Sequence, residues 1–283
     1  MLIGQLSDIH IGFNRNIEPE ENLVRLRAAL ARIAAAPQRP DLLLLTGDLT
    51  EFGDAASYAV LTATLASLDI PCWPIPGNHD LREPLVAAFP QVTLADGFLH
   101  YAIALDGLRI LMLDTFEPGR HGGAFCAVRA QWLAAELAAH PATPTLIAMH
   151  HPPFATGIAW MDPEPDAPWL ARFAAAIAGH SQIVAITCGH VHRSAAVQYR
   201  GHTAIICPST AAAVALDFAP IDPAHPDNRA LITDELPGFA LHRWDGTQLT
   251  SHILTSSEAH PLARYNANTQ AMIAGMFDER PGD

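Results

Sequence analysis

The chain has 283 residues, half of them hydrophobic, which is enough to bury a sizeable core within one α/β or sandwich unit. Its formal net charge is −13, from 16 Lys and Arg against 29 Asp and Glu. That balance opposes nucleic acid or another large polyanion as a partner, because no basic stripe is available to displace counterions.

The elements follow in chain order. Met1 to Asp8 has no basic region or cleavage site and brings in an acid by position 8, so no signal peptide is expected. Leu2 to Leu6 predicts a strand ending at Ser7-Asp8, and Leu23, Leu26, Leu30 and Ile33 then fall at helical spacing. The run Leu42 to Leu45 suits a strand covered on both faces. Tyr58, Leu61, Leu65 and Leu68 mark a second helix, and Cys72 to Ile75 a short strand before Gly77. This β-α-β-α-β start predicts a layered α/β fold.

Farther along, His100 to Leu105 and Leu108 to Leu113 flank the hairpin signal Asp106-Gly107. A helix through Trp132, Leu133 and Leu137 precedes a strand over Thr145 to Met149. Trp169, Phe173 and Ile177 predict another helix, and Ile183 to Ile186 a strand that stops at Gly189. Ala195 to Tyr199 and Thr203 to Cys207 flank Arg200-Gly201, and Leu241 to Trp244 and Gln248 to Leu254 flank Asp245-Gly246. Two mixed sheets packed face to face, with helices outside, are expected. Pro152 to Pro168 and Leu216 to Pro237 are too proline-broken for core elements and predict ordered loops or a small cap. The tail after Pro261 predicts a surface helix or partial disorder.

No uncharged apolar run approaches the roughly 20 residues of a membrane span. The widely spaced Cys72, Cys126, Cys188 and Cys207 fit neither a disulfide framework nor a zinc knuckle. They are expected to be reduced core thiols in a cytoplasmic protein.

Five short motifs carry the chemistry: Asp8-Ile9-His10, Gly47-Asp48, Gly77-Asn78-His79-Asp80, His150-His151-Pro152 and Gly189-His190-Val191-His192. Each directly follows a predicted strand, and ligands in α/β sheets gather at the carboxyl ends of strands. In extended backbone, residues two apart point the same way, which would pair Asp8 with His10 and His190 with His192. The glycines allow tight turns before Asp48, Asn78 and His190. Asp, His and Asn supply the mixed oxygen and nitrogen donors that Mn, Fe and Zn accept. A single such histidine is more often a core or surface residue than a ligand, and Asp48 alone could be a helix N-cap. All five motifs in order, each at a strand end, point to a metal site. His121, in a glycine-rich stretch, is expected on a surface loop, with the substrate mouth as the alternative, Cys188 in the core, and Arg193 either neutralising an acid beside the site or simply exposed.

In this order the motifs resemble those of the calcineurin-like metallophosphoesterase family. His150 to Phe154 with Gly157 to Asp162, Gly189 to Arg193, Cys207 to Thr210 and Pro237 to Phe239 resemble its branch of bacterial class III cyclic nucleotide phosphodiesterases and glycerophosphodiesterases. The resemblance implies an α/β fold: a four-layer αββα sandwich of two mixed β-sheets flanked by helices, with a small C-terminal cap or hairpin region. It implies a metallophosphoesterase domain over residues 1–260, with 216–237 as a possible cap or oligomerisation segment, and a tail over 261–283. By position in the motifs, Asp8, His10 and His192 would hold one metal, Asn78, His150 and His190 a second, and Asp48 would bridge them. His79 would be the catalytic residue, facing the phosphate and leaving group with Asn78. His151 is the weaker ligand candidate of its pair.

The implied cofactors are two divalent transition-metal ions (Mn, Fe or Zn). The implied reaction is hydrolysis of a small phosphodiester, a 3′,5′-cyclic nucleotide or a glycerophosphodiester, by in-line attack of a metal-bound hydroxide. The expected partners are that substrate and further copies of the chain as a homo-oligomer, with no membrane and no nucleic acid. The alternatives are a phosphomonoesterase or protein phosphatase and, further off, a nuclease or a non-catalytic metal-binding module.

Overall fold

A computed structural model describes residues 1–257 and 260–280. The expected domain boundary at 260/261 adjoins residues 258–259, and these together with the last three residues of the expected tail lie outside the described residues.

The first sheet holds β1 (Leu2–Leu6), β2 (Leu42–Thr46), β3 (Cys72–Ile75), β12 (Gly238–Trp244) and β13 (Leu249–Thr255), in the order β13-β12-β1-β2-β3. Strands β1 to β3 run parallel, and β12 and β13 add antiparallel ones. The second sheet holds β4 (Tyr101–Leu105), β5 (Leu108–Leu113), β6 (Thr145–Met149), β7 (Ile183–Cys188), β8 (Ala195–Tyr199) and β9 (His202–Ile206), in the order β4-β5-β6-β7-β9-β8. Its centre, β5-β6-β7-β9, is parallel, with antiparallel β4 and β8 at the edges. Both sheets are therefore mixed.

Three apolar layers hold the sandwich together. Leu26, Leu30 and Ile33 of α1 (Glu21–Ala34) and Tyr58, Leu61 and Leu65 of α2 (Ala55–Leu65) cover the outer face of the first sheet. Leu133 and Leu137 of α4 (Ala127–Ala139) and Trp169, Phe173 and Ile177 of α5 (Pro168–Ile177) cover the outer face of the second. Between the sheets lie Ile3, Leu42, Leu44 and Ile75 against Ile110, Met112, Leu146 and Ala148. Strands such as β2 and β6 are buried along their whole length, which is why their sequences show continuous apolar runs rather than alternation.

Residues 152–167 form a loop with no helix or strand, pinned by the Asp162 carboxylate, which accepts from Thr156 N at 2.6 Å and Gly157 N at 2.9 Å. The 216–237 segment contributes one strand of a pair absent from the sequence-based expectation, β11 (Ile232–Thr233), which joins β10 (Ala213–Val214) just before the segment. The pair is too short for periodicity to reveal. A helix over Arg82–Ala88 (α3) was likewise not anticipated, and the tail forms α6 (Ala267–Asp278), none of whose side chains is buried. Among the described residues no helix is long and apolar enough to cross a membrane.

Candidate metal centre

All five motifs lie at the carboxyl ends of β1, β2, β3, β6 and β7, and the two sheets bring those ends together. Asp8, His10, Asp48, His150 and His190 are buried there. Their backbone departs from the extended form expected from spacing. Asp8 (φ 53°), His10 (52°), Asp48 (50°), His190 (71°) and His192 (57°) all occupy the left-handed region. Non-glycine residues rarely do so, with Asn, Asp and His the usual exceptions. Each of these five side chains turns inward through its own backbone kink, while Ile9 and Val191 between them are buried in the core clusters.

The glycines before the ligands have two different functions. Gly47 is itself left-handed, at φ 93°. Gly77 and Gly189 are needed for space: a Cβ at Gly77 would lie 2.2 Å from Asp48 Oδ1, and one at Gly189 would lie 1.9 Å from Ser7 Oγ.

Asp48 stands at the middle. Its Oδ1 accepts the His79 backbone N–H at 2.8 Å, and its Oδ2 lies 3.6 Å from His10 Nε2 and 3.3 Å from His150 Nε2. On one side, His10 Nε2 and His192 Nε2 are 3.2 Å apart, and His192 Nε2 is 3.5 Å from Asp8 Oδ1. On the other, Asn78 Oδ1 lies 3.3 Å from His150 Nε2 and 3.1 Å from His190 Nδ1.

The chemistry of this donor set fits a metal. Ligand bonds of about 2.1 Å at tetrahedral or octahedral angles place donor atoms about 3.0–3.4 Å apart, close to the separations found. The ring protons are engaged on the far side: His150 Nδ1–H donates to the Thr46 carbonyl at 2.8 Å, and His192 Nδ1–H to the Ala212 carbonyl at 2.8 Å. His10 Nδ1 lies 2.7 Å from Glu51 Oε2. Three Nε2 lone pairs therefore converge on carboxylate oxygens in a buried space, which requires a proton or a cation between them. Without a metal, protons take that place at His10 and His150, whose pKa values are raised, whereas burial lowers that of His192. Burial alone would lower the His150 imidazole, but Asp48 and Asp8 outweigh it and push its pKa up to about 9. Burial would raise the Asp48 carboxyl, yet His150, His10 and His79 hold it well below the usual range. His190 goes the opposite way, kept neutral by burial and by His151 and His150 beside it.

His151 is close to His150 and His190 but is already engaged. Its Nε2–H donates to the His121 carbonyl at 3.1 Å, and its Nδ1 pairs with the Thr115 hydroxyl at 2.8 Å, leaving no lone pair for a metal. His79 also faces away from the donor cluster. Its Nδ1–H donates to the Glu51 carbonyl at 3.0 Å, which leaves Nε2 toward the cavity.

One residue of the site, Glu51, has no expectation from the sequence. His121 is exposed on a loop, as expected, and from there it also reaches the cavity mouth: its ring lies 4.8 Å from that of His190, and its Nδ1 is 3.4 Å from Asn78 Nδ2. Glu51 backs both His10 and His79; its only signal in the sequence is a carboxylate three residues after Asp48 on the same loop. Arg193 is neither free nor at the metal centre. It binds Glu235 at 2.7 Å and the Val214 carbonyl at 2.6 Å, tying the 216–237 segment to the motif that carries His192.

The cavity over this cluster has a volume of about 250 Å³. Beyond the polar floor its walls are Phe13, Trp160, Met161, Val214 and Ile232, with Glu21 at the rim and no Lys or Arg among the described lining residues.

Comparison with known proteins agrees with this architecture. The chain is 31% identical over 259 residues (89% of this chain, 92% of the relative) to a probable glycerophosphodiester phosphodiesterase, GpdQ, of Arcobacter nitrofigilis. It is 33% identical to a probable cyclic nucleotide phosphodiesterase of Rhodopseudomonas palustris, over 87% of this chain and 94% of that one. It is 27% identical to the 3′,5′-cyclic adenosine monophosphate phosphodiesterase CpdA of Escherichia coli K12, over 84% and 80% respectively. The fold is shared with purple acid phosphatase PPD1 of yellow lupin, at a TM-score of 0.66 and 14% identity over 92% of this chain and 52% of that one. The model for calcineurin-like phosphoesterases matches residues 1–194, a span that holds every converging side chain from Asp8 to His192, and the chain belongs to that family.

Proposed function

We propose that this protein is a dinuclear-metal phosphodiesterase of small diesters, either a 3′,5′-cyclic nucleotide or a glycerophosphodiester. The observation that carries the reading is the position of Asp48 Oδ2 between two acceptor sets, one of Asp8, His10 and His192, the other of Asn78, His150 and His190. Two divalent ions (Mn, Fe or Zn) suit these sets, since a shared carboxylate lets two cations sit about 3.5–4 Å apart. A bound pair supplies Lewis acidity at the phosphoryl group and activates water near neutral pH.

The protein's own groups account for the rest. His10, His150 and His192 are fixed in one tautomer by Glu51, Thr46 and Ala212, so their coordinating nitrogens are set before any ion arrives. Asn78 turns Oδ1 toward the histidines and keeps its N–H groups for a phosphate oxygen. His79, with Nε2 toward the cavity and the Glu51 carboxylate 3.5 Å from Nδ1, can hold a proton and deliver it to the departing alkoxide. The apolar walls receive the alcohol portion of the diester, and a rim without Lys or Arg gives a second anionic group nothing to pair with.

Similarity to a probable glycerophosphodiester phosphodiesterase and to a 3′,5′-cyclic adenosine monophosphate phosphodiesterase supports this substrate class. A substrate panel on Mn-loaded enzyme tests it: cyclic AMP, 2′,3′-cyclic nucleotides, glycerophosphocholine, glycerophosphoethanolamine and a chromogenic monoester. At least one diester is expected to exceed the monoester in kcat/KM. A monoester preference, or full activity after exhaustive chelation, refutes the proposal. The exposed apolar residues Leu216, Phe218 and Leu236 of the cap further support a homo-oligomer with this segment at the interface. Light scattering that found only monomer at micromolar concentration would refute that part.

A further inference from the structure

Three residues below the metal centre a single side-chain amide is hydrogen-bonded on every side. Gln5, in β1, is wholly buried. Its Nε2 donates to the Thr46 hydroxyl of β2 at 2.8 Å and to the Cys188 carbonyl of β7 at 3.2 Å. Its Oε1 accepts the Thr187 hydroxyl of β7 at 2.6 Å and His242 Nε2–H of β12 at 3.0 Å. Ser251 of β13 completes the chain, 2.7 Å from His242 Nδ1. Burial drives the His242 pKa down to about 4, so the ring is neutral and needs the Gln5 oxygen as acceptor for its one N–H.

The partners are not scattered. Thr46 lies two residues before Asp48, Cys188 two before His190, and Gln5 three before Asp8. Thr46 also gives its carbonyl to His150 Nδ1. The metal-binding set itself is divided between sheets: Asp8, His10, Asp48 and Asn78 follow strands of the first, and His150, His190 and His192 follow strands of the second. Both halves of the centre therefore straddle the gap that the Gln5 amide spans by two bonds to adjacent β7 residues. A buried amide with two donors and two acceptor lone pairs all satisfied has one low-energy placement, and moving either sheet end breaks bonds in low dielectric.

We infer that Gln5 is a positioning residue that sets the separation of the two ligand-bearing sheet ends, and so the geometry in which both metals bind. This rests on the dinuclear reading above. An apolar side chain of the same length at this site would still fill the space but would not fix the register across the gap.

The test uses the full-length chain and Mn(II) as probe. Gln5→Met and Gln5→Glu are compared with wild type by Mn(II) titration calorimetry, by paramagnetic resonance of the loaded protein and by thermal unfolding. Gln5→Glu keeps acceptors for Thr187 and His242 but loses the donations to Thr46 and Cys188. Both variants are expected to bind Mn(II) about 10–100-fold more weakly, the range for lost supports behind a ligand set. They should also lose or alter the spectrum of exchange-coupled Mn pairs. Should Gln5→Met fail to fold, Thr187→Val removes one inter-sheet bond and is expected to weaken binding in the same direction. Variants that melt lower yet bind two Mn(II) with wild-type affinity and an unchanged coupled spectrum would overturn the inference, leaving Gln5 a purely structural residue. If wild type itself does not take up two Mn(II), the dinuclear reading fails instead, and the two failures are thereby separated.

Discussion

Replacing Gly189 by alanine tests the close approach between the sheets at its narrowest point. The added methyl would stand 1.9 Å from Ser7 Oγ, 2.9 Å from Asp8 Oδ2 and 3.1 Å from Ser7 Cβ. Against ordinary contacts of about 3.5 Å, the Ser7 hydroxyl must retreat by about 1.6 Å and the Asp8 oxygen by about 0.6 Å. Ser7 is wholly buried, so rotating its hydroxyl away from the Thr46 carbonyl, 3.2 Å distant, only transfers the overlap elsewhere. Asp8 is also held, since it accepts the His190 N–H at 3.0 Å. The strain costs about 1–3 kcal/mol in stability, as for other overpacked sites. The larger effect falls on the centre: misplacement near 1 Å typically costs about 10²-fold in rate. Gly189→Ala should therefore lower Mn content by elemental analysis and lower kcat/KM by about that factor, while losing only several degrees of melting temperature. Gly275→Ala, with open space around its added methyl, is the control and should change none of these. A Gly189→Ala protein with full metal content and wild-type turnover would refute the packing argument.

His79→Ala should retain both metals and lose about 10²–10⁴-fold in turnover, less for substrates with a nitrophenolate leaving group; loss of metal in this variant would make His79 a ligand. Asp48→Ala should reduce the content of both metals together, because its Oδ2 faces both halves of the centre, and loss of one metal alone would contradict a bridging role. His242 gives the chain a defined acid sensitivity: its pKa falls from 6.5 to about 4 on folding, so between those values the unfolded chain binds the extra proton. Stability is fully present above about pH 6.5 and is lost toward pH 4, by about 3 kcal/mol at most. Chemical denaturation across that range should show a flatter slope for His242→Gln, and an unchanged slope would refute the assignment.

Most of the architecture was legible because burial on both faces leaves a strong mark. The continuous apolar runs of β1, β2, β5 and β6 could be placed nearly to the residue, and Asp-Gly pairs located two hairpins. The site was legible for a different reason: its side chains belong to short motifs at strand ends. What escaped has no side-chain signature. The carbonyls of Thr46 and Ala212 fix two histidine tautomers through backbone atoms. For His121 the surface loop was legible, but its reach to the cavity depends on tertiary packing of that glycine-rich loop, with Gly123 pressed against His151. The β10–β11 pair is held by Arg193 and Arg25 reaching Glu235, contacts between residues far apart in the chain. Spacing paired Asp8 with His10 and His190 with His192 from an extended geometry that the backbone does not adopt; Asp8 and His10 do share one side of the cluster, but His192 joins them while His190 lies with Asn78.

The left-handed backbone at positions 8, 10, 48, 190 and 192 limits how far this centre can be retuned. Aspartate and histidine tolerate that conformation better than most residues, so here they satisfy coordination and backbone at once. A cysteine placed at 10 or 192 to attract softer metals would first cost about 1–2 kcal/mol in conformation, before any bond to sulfur formed. A β-branched residue there would meet the same barrier more sharply. On the proposed ligand set, a bias toward hard and borderline ions would be written partly into torsion angles, and efforts to convert the site to thiolate ligation would do better to begin at Asn78 or His150, neither of which has a left-handed backbone.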